Sequence, residues 1–223
     1  MGALNGFLVG ICGLPSIIVT LAMLVVWRDA LRWVTDGAWV QDLPNAFQWF
    51  GLSPGLAQGL IVITAIGVLV ITGWALWNLR AGRNVCAVGS DREAARLSGI
   101  DPRRVTLSTF AVTGTLVALG AVLNAVRFAA VPSNAGIGLE LQAVAAVVVG
   151  GTAITGGRGT VWGTAVGVLL LGAITTAMTY VGISPFWGKA IHGIIIVAAL
   201  LANAALTRLA DDGSFRRAAF DFR

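Results

Sequence analysis

Three stretches of this chain, Leu56 to Leu79, Val105 to Val126 and Val161 to Val181, are apolar and free of charged side chains over a length that can cross a bilayer. In hydrocarbon every backbone N–H and C=O must find a partner inside the protein, which leaves helices and closed barrels as the only spanning structures. Continuous apolar runs of this length are helical spans. Composition agrees: 57% of the residues are hydrophobic and 11% charged, with a mean hydropathy of +0.86. A soluble domain carries about 25% charged residues. The expected fold is all-α, a polytopic transmembrane helical bundle of about six to seven membrane segments.

Between the first two spans lies a polar interruption, Arg80 to Arg104. It holds six of the chain's fourteen arginines and three of its ten acids, and Lys189 is the only lysine. The net charge of +5 in a soluble protein would point to nucleic acid. Here basic residues mark the cytoplasmic ends of spans instead. With Arg80–Arg104 inside, the crossings after it alternate: out near Pro132, in at Arg158, out near Pro185, in at the tail. The transmembrane domain is expected over residues 1–206 and a cytoplasmic tail over 207–223, where Arg208, Asp211, Asp212, Arg216, Arg217, Asp221 and Arg223 cluster.

The remaining segments are less regular. Gly2 to Gly13 is apolar but only about half the ~20 residues of a span, and Pro15 breaks it before a second helix from Ile17 to Leu31. A half-span and a chain that begins inside a larger domain both fit, and the second is favoured. Trp27, Trp33, Trp39 and Trp49 are half of the eight tryptophans. Indole rings favour the headgroup level, so this stretch reads as an outer interfacial belt; stacking on a sugar is the sharper alternative. Leu141 to Gly157 is short for a span but extendable through Glu140, and Lys189 to Leu206 makes the last crossing. Gly159, Gly163 and Gly167, with Gly172 near the same face, are spaced for close helix packing.

Chemistry-bearing clusters are sparse. Cys12 and Cys86 are too far apart in character, one in an apolar run and one in the basic stretch, to suggest a disulfide, and the ligand count is too low for a metal site. His192, alone in the last span, reads as a packing residue. Asn124, Arg127, Asn134, Glu140 and Gln142, with Thr152, Thr155, Thr175, Thr176 and Asn203, are polar or ionisable groups in or near the membrane, where such groups are costly and mark a pathway or an internal pair. Arg127 and Glu140 bracket one outer turn and fit either a mutual ion pair or a substrate gate. In the basic stretch, Glu93-Ala94-Ala95, three residues and Gly99 form a helix-forming run with a glycine stop, followed by Asp101-Pro102, a helix-start signal. This is either a plain connector or a lever for a soluble partner.

The segments AVGSDREAARLSGID, GIGLELQAVAAVVVGGTAITGGRGTVWGT and VGISPFWGKAIHGIIIV occur in order. Together they make the chain resemble permeases of the ribose/xylose-type ABC sugar importers, a family that also serves rhamnose and autoinducer-2. The resemblance runs from about Gly2 to about Leu206. It implies a longer permease with further N-terminal spans, and a coupling loop at Glu93, Ala94, Ala95, Arg96 and Gly99 that docks on a separate ATPase. The broader importer motif continues with Leu-Pro, and this chain has Thr109 near that point. No G-x-x-x-x-G-K-[ST] phosphate loop occurs, so ATP hydrolysis is expected on another subunit and no cofactor on this one. The partners implied are ATP-binding-cassette subunits, a second permease subunit in a homo- or heterodimer, a periplasmic or extracellular solute-binding protein and membrane lipid, with no nucleic acid. The place implied is the bacterial cytoplasmic (inner) membrane. A branched-chain amino-acid permease and a nonfunctional permease fragment are the alternatives.

Overall fold

The computed structural model describes residues 1–39, 53–128, 131, 136–153 and 156–182, with 187, 188, 190, 191, 193–195, 197 and 201 beyond them. Asn134, Thr155, Pro185, His192, Asn203, the tryptophan-rich stretch after Trp39, most of the last expected crossing and the 207–223 tail lie outside the described residues. The chain divides into two compact units, Met1–Gly136 and Ile137–Arg223. Every described element is a helix.

Among the described residues the first unit contains six helices: α1 (Gly2–Gly10), α2 (Ser16–Val34), α3 (Pro54–Asn78), α4 (Arg80–Ser90), α5 (Arg92–Leu97) and α6 (Pro102–Ala125). Both long spans start on proline at the first helical turn, where the missing N–H costs nothing. α3 and α6, with α8 of the second unit, are the three described helices long and apolar enough to cross a membrane. α2 runs past the expected Leu31 to Val34, so Trp33 as well as Trp27 stands on it, beside an exposed Asp29–Arg32 pair 3.8 Å apart.

The larger departure is the basic stretch, which is expected as a loop and is instead mostly helical. Leu79 alone is extended (φ −81°, ψ 147°), serving as the last cap of α3 and the first of α4. Arg83 donates to the Asn78 carbonyl at 3.0 Å, satisfying a carbonyl that the end of α3 leaves free. The chain can turn so sharply because Gly82 lies against the backbone of Leu76, in space that a Cβ would occupy.

α1 packs lengthwise on α6. Its glycines recur every four residues and form the seam. A Cβ at Gly6 would sit 2.9 Å from Cβ of Phe110, and one at Gly10 2.9 Å from the Arg103 carbonyl oxygen. At the far end Gly2 meets Gly114, itself a glycine. Small residues that let backbones touch are how helices associate where lipid removes the hydrophobic drive. Little else is buried among the described residues, where Val9, Val19, Ala57, Val88, Ala95 and Val126 are the inward apolar side chains of this unit. α3 presents its apolar side chains outward, Ile63 at 72% exposure.

The second unit contains α7 (Leu139–Val149) and α8 (Val161–Tyr180). α7 is 11 residues long, about 16 Å at 1.5 Å per residue. The expected crossing from Leu141 to Gly157 therefore is not one continuous helix. It stops at Gly150-Gly151, where Gly151 takes φ +80°, a left-handed turn that only glycine adopts freely. The chain then doubles back and Thr160 caps α8, its hydroxyl accepting from the Gly163 N–H at 3.0 Å. Two members of the expected glycine stripe make the α7–α8 seam: Gly163 lies on Gly150 and Gly167 on the Ala146 carbonyl. Gly172 is not in it. Five residues past Gly167 it has turned away, and a Cβ there would meet nothing within 4 Å.

Candidate functional site

The EAA stretch forms a short helix stopped cleanly at both ends. Asp91 is extended (φ −153°, ψ 115°), and its Oδ1 accepts from the N–H groups of Glu93 at 2.8 Å and Ala94 at 3.1 Å. Without that cap, the free N–H groups of so short a helix would have no protein partner. Glu93 in the first turn and Arg96 in the last both suit the helix dipole.

At the other end Ile100 N–H donates to the Ala95 carbonyl and Gly99 N–H to that of Arg96, both at 3.0 Å. This is the paired pattern of a Schellman stop. Gly99 carries it with φ +81°, and a Cβ there would meet no atom within 4 Å. Backbone conformation, not crowding, requires the glycine. Ala95 is buried, whereas Glu93, Ala94 and Arg96 are exposed, and Leu97 is bare at 82% exposure.

Immediately after the stop, Asp101 caps α6. Its Oδ1 accepts from Arg103 N–H at 3.0 Å and its Oδ2 lies 3.2 Å from Arg104 Nε. Only Ser98 to Asp101 separates α5 from the membrane-length α6. A side-chain strap crosses the same gap: Arg92 donates from Nη2 to Thr106 Oγ1 at 3.0 Å, and that hydroxyl donates onward to the Pro102 carbonyl at 2.8 Å. Beside the strap lies a cavity of about 720 Å³, bounded by Arg92, Glu93, Arg96, Gly99 and Arg103 and by the end of α1 at Gly10 to Gly13.

The five coupling residues expected from sequence thus come together on one helix and its stop. Asp91, Arg92 and Thr106 are additions. An aspartate directly before a helix-forming run was a readable cap signal; the Arg92–Thr106 bond is tertiary and left no pattern.

The expected pathway residues do not gather in the same way. Asn124 is exposed near the end of α6, and its carbonyl accepts from Arg127 N–H at 3.2 Å. Arg127 is exposed and follows the fully buried Val126. Glu140 sits in the first turn of α7, where its Oε2 accepts from Gly138 N–H at 3.1 Å. Gln142, two residues on, is half-buried and faces a cavity of about 400 Å³. Arg127 belongs to the first unit and Glu140 to the second.

Comparison with known proteins adds a family. Residues 1–200 match the model described as branched-chain amino acid transport system / permease component. The chain is 30% identical over 208 residues to the ribose import permease protein of Escherichia coli (strain K12), covering 91% of this chain and 64% of that protein. To the autoinducer 2 import system permease protein of Photorhabdus luminescens it is 31% identical over 211 residues, 92% of this chain and 62% of the relative. To a probable ABC transporter permease protein of Escherichia coli (strain K12) it is 38% identical over 199 residues, 87% and 58%. The chain spans about three fifths of the length of these curated relatives. No solved structure matches it. With membrane-length helices, a capped EAA helix joined directly to one of them, and a match over nearly its whole length, the chain belongs to the permease-component family of ABC transport systems.

Proposed function

We propose that this chain forms part of the membrane passage of an ATP-binding-cassette importer for a monosaccharide or related uncharged solute. In this reading α5 is the cytoplasmic coupling helix. Its exposed Leu97 and the guanidinium groups around it meet a separate ATPase subunit, which binds and hydrolyses ATP; the chain itself performs no catalysis. The observation that carries the reading is the joint between α5 and α6: two capped helix ends and the Arg92–Thr106 strap make the EAA helix an extension of a spanning helix. A displacement imposed on α5 is passed to α6, and conformational states with different affinity for ATP and solute become linked.

Bacterial cytoplasmic membrane, about six to seven crossings over residues 1–206 and a cytoplasmic tail at 207–223 complete the proposal. Its further partners are a second permease subunit, a solute-binding protein at the outer face and membrane lipid. The names of the reported relatives, ribose and autoinducer 2 import permeases, favour a sugar-like solute over a branched-chain amino acid.

The test is uptake of a labelled monosaccharide panel by vesicles containing this permease with its ATPase and binding protein. ATP-dependent accumulation is expected, and replacement of Glu93 and Gly99 should abolish it while the complex still assembles. Uptake of branched-chain amino acids in place of sugars would overturn the solute assignment. Accumulation indifferent to ATP would overturn the importer.

A further inference from the structure

On the flank of α8 beside the glycine seam, Gly172, Thr175, Thr176 and Thr179 follow at helical spacing i, i+3, i+4 and i+7 and so share one face. Two cavities open along it. The first, of about 400 Å³, lies between α7 and α8, with Gln142 on one wall and Gly172 and Thr175 on the other. The second, of about 360 Å³, is lined by Thr175, Thr176, Thr179 and Tyr180. Thr175 belongs to both. They make one open track from Gly172 to Tyr180, roughly 12 Å long at 1.5 Å per residue, with Tyr180 88% exposed at its end.

The chemistry of the track is selective. Thr175, Thr176 and Thr179 each donate their hydroxyl hydrogen to a carbonyl of their own helix, those of Leu171, Gly172 and Thr175, at 2.9, 2.9 and 3.1 Å. Their donors are therefore committed, and the lone pairs left on each oxygen can only accept. Gln142 adds an amide that both donates and accepts. Among the described residues none lining either cavity is charged, so an ion entering from water would find no counter-charge there for its desolvation. The glycine leaves room: no atom stands within 4 Å of where its Cβ would be.

We propose that this face of α8, together with Gln142 of α7, is a solute-binding track for an uncharged polyhydroxylated compound, whose hydroxyls donate to the threonine oxygens as it passes. The proposal rests on the transport reading above and assigns that reading a place in the second unit.

The experiment uses the assembled importer in membrane vesicles with Cys12 and Cys86 replaced by serine. Single cysteines are introduced as Thr175→Cys, Thr176→Cys and Thr179→Cys, with Ala177→Cys, on the opposite side of the helix, as reference. A small hydrophilic thiol reagent should modify the first three at least tenfold faster than the fourth, and D-ribose at saturating concentration should slow it. In the same complex the triple replacement of Thr175, Thr176 and Thr179 by valine should raise KM for uptake at least tenfold, with the triple serine variant near the original. Thr115→Val, which removes a similarly bonded hydroxyl from α6, should change nothing. Gly172→Leu should block passage without loss of assembly. Equal, slow modification at all four positions in a complex that takes up sugar would mean that the face meets lipid, overturning this proposal and leaving the transport reading intact. Fast modification with uptake unmoved by the valines would also overturn it, since a wet face that binds no solute is not the track. Absence of sugar uptake by the unsubstituted complex would overturn the transport reading itself, and with it the solute named here.

Discussion

At the scale of single residues, Asp91, Arg92 and Gly99 determine whether α5 exists as a rigid piece. Asp91→Ala removes the acceptor for two N–H groups and is expected to cost about 0.5–2 kcal/mol of helix stability. Gly99→Ala forces a side chain into a left-handed conformation at about 1–2 kcal/mol, although the space around it is open. Either variant should insert and assemble normally yet lose ATP-driven uptake, measured as transport at equal amounts of purified complex; normal uptake by both would show that the stop is dispensable. Arg92 separates stability from coupling. Its bond to Thr106 is exposed and worth about 1 kcal/mol, too little to unfold the unit. Arg92→Met and Thr106→Val should each raise the ATP hydrolysed per solute imported, and the double variant should be no worse than the worse single one. Arg92→Lys, which keeps a donor, should recover part of the ratio. Additive effects in the double variant would mean that the two side chains act separately.

At the scale of helices, the ends of the long spans and the short EAA helix with its glycine stop were legible, and α4 was not. Pro54 and Asp101-Pro102 start α3 and α6 through signals within a few residues, so the sequence reading came within three residues at either end of both. The part of the basic stretch before Asp91 misled, because charge density resembles a loop. Helicity across the stretch comes instead from Asp91, Asp101 and Arg83, whose polar atoms replace the missing intrahelical partners. Glycine spacing announced that helices pack closely and left the partner open: Gly2 meets Gly114, far away in the chain, whereas Gly163 meets Gly150 in the same hairpin. Gln142 and Thr175 were legible as polar residues within apolar runs, but not as neighbours, because they meet only when α7 folds back along α8. Gly167→Val tests the hairpin seam, since its Cβ would enter the Ala146 carbonyl. Overpacking of this kind costs about 1–3 kcal/mol, and the variant should fall markedly in thermal stability in detergent. Gly172→Val, where a Cβ meets nothing within 4 Å, should not.

At the scale of the whole chain, the question is which face of the membrane the EAA helix occupies, and two native thiols can answer it. Cys86 stands exposed on α4, and Cys12, also exposed, borders the same cavity as Arg92, Glu93 and Arg96. The cavity brings Cys12 and the EAA helix to one end of the first unit, although about eighty residues of chain separate the two, so whichever side holds the arginines also holds this thiol. The bias of arginine toward the cytoplasm then predicts one outcome for both. A membrane-impermeant maleimide should modify Cys12 and Cys86 in inside-out vesicles and neither in intact cells with a permeabilised outer barrier. Serine replacement of each in turn assigns the label. Assembly with the ATPase should shield Cys12 more than Cys86, because Cys12 borders the cavity beside α5 and Cys86 does not. Labelling of both from the outside would invert the chain and remove α5 from reach of any cytoplasmic ATPase. Labelling of the two from opposite sides would contradict the packing of α1 along α6, the contact that the Gly2, Gly6 and Gly10 seam builds.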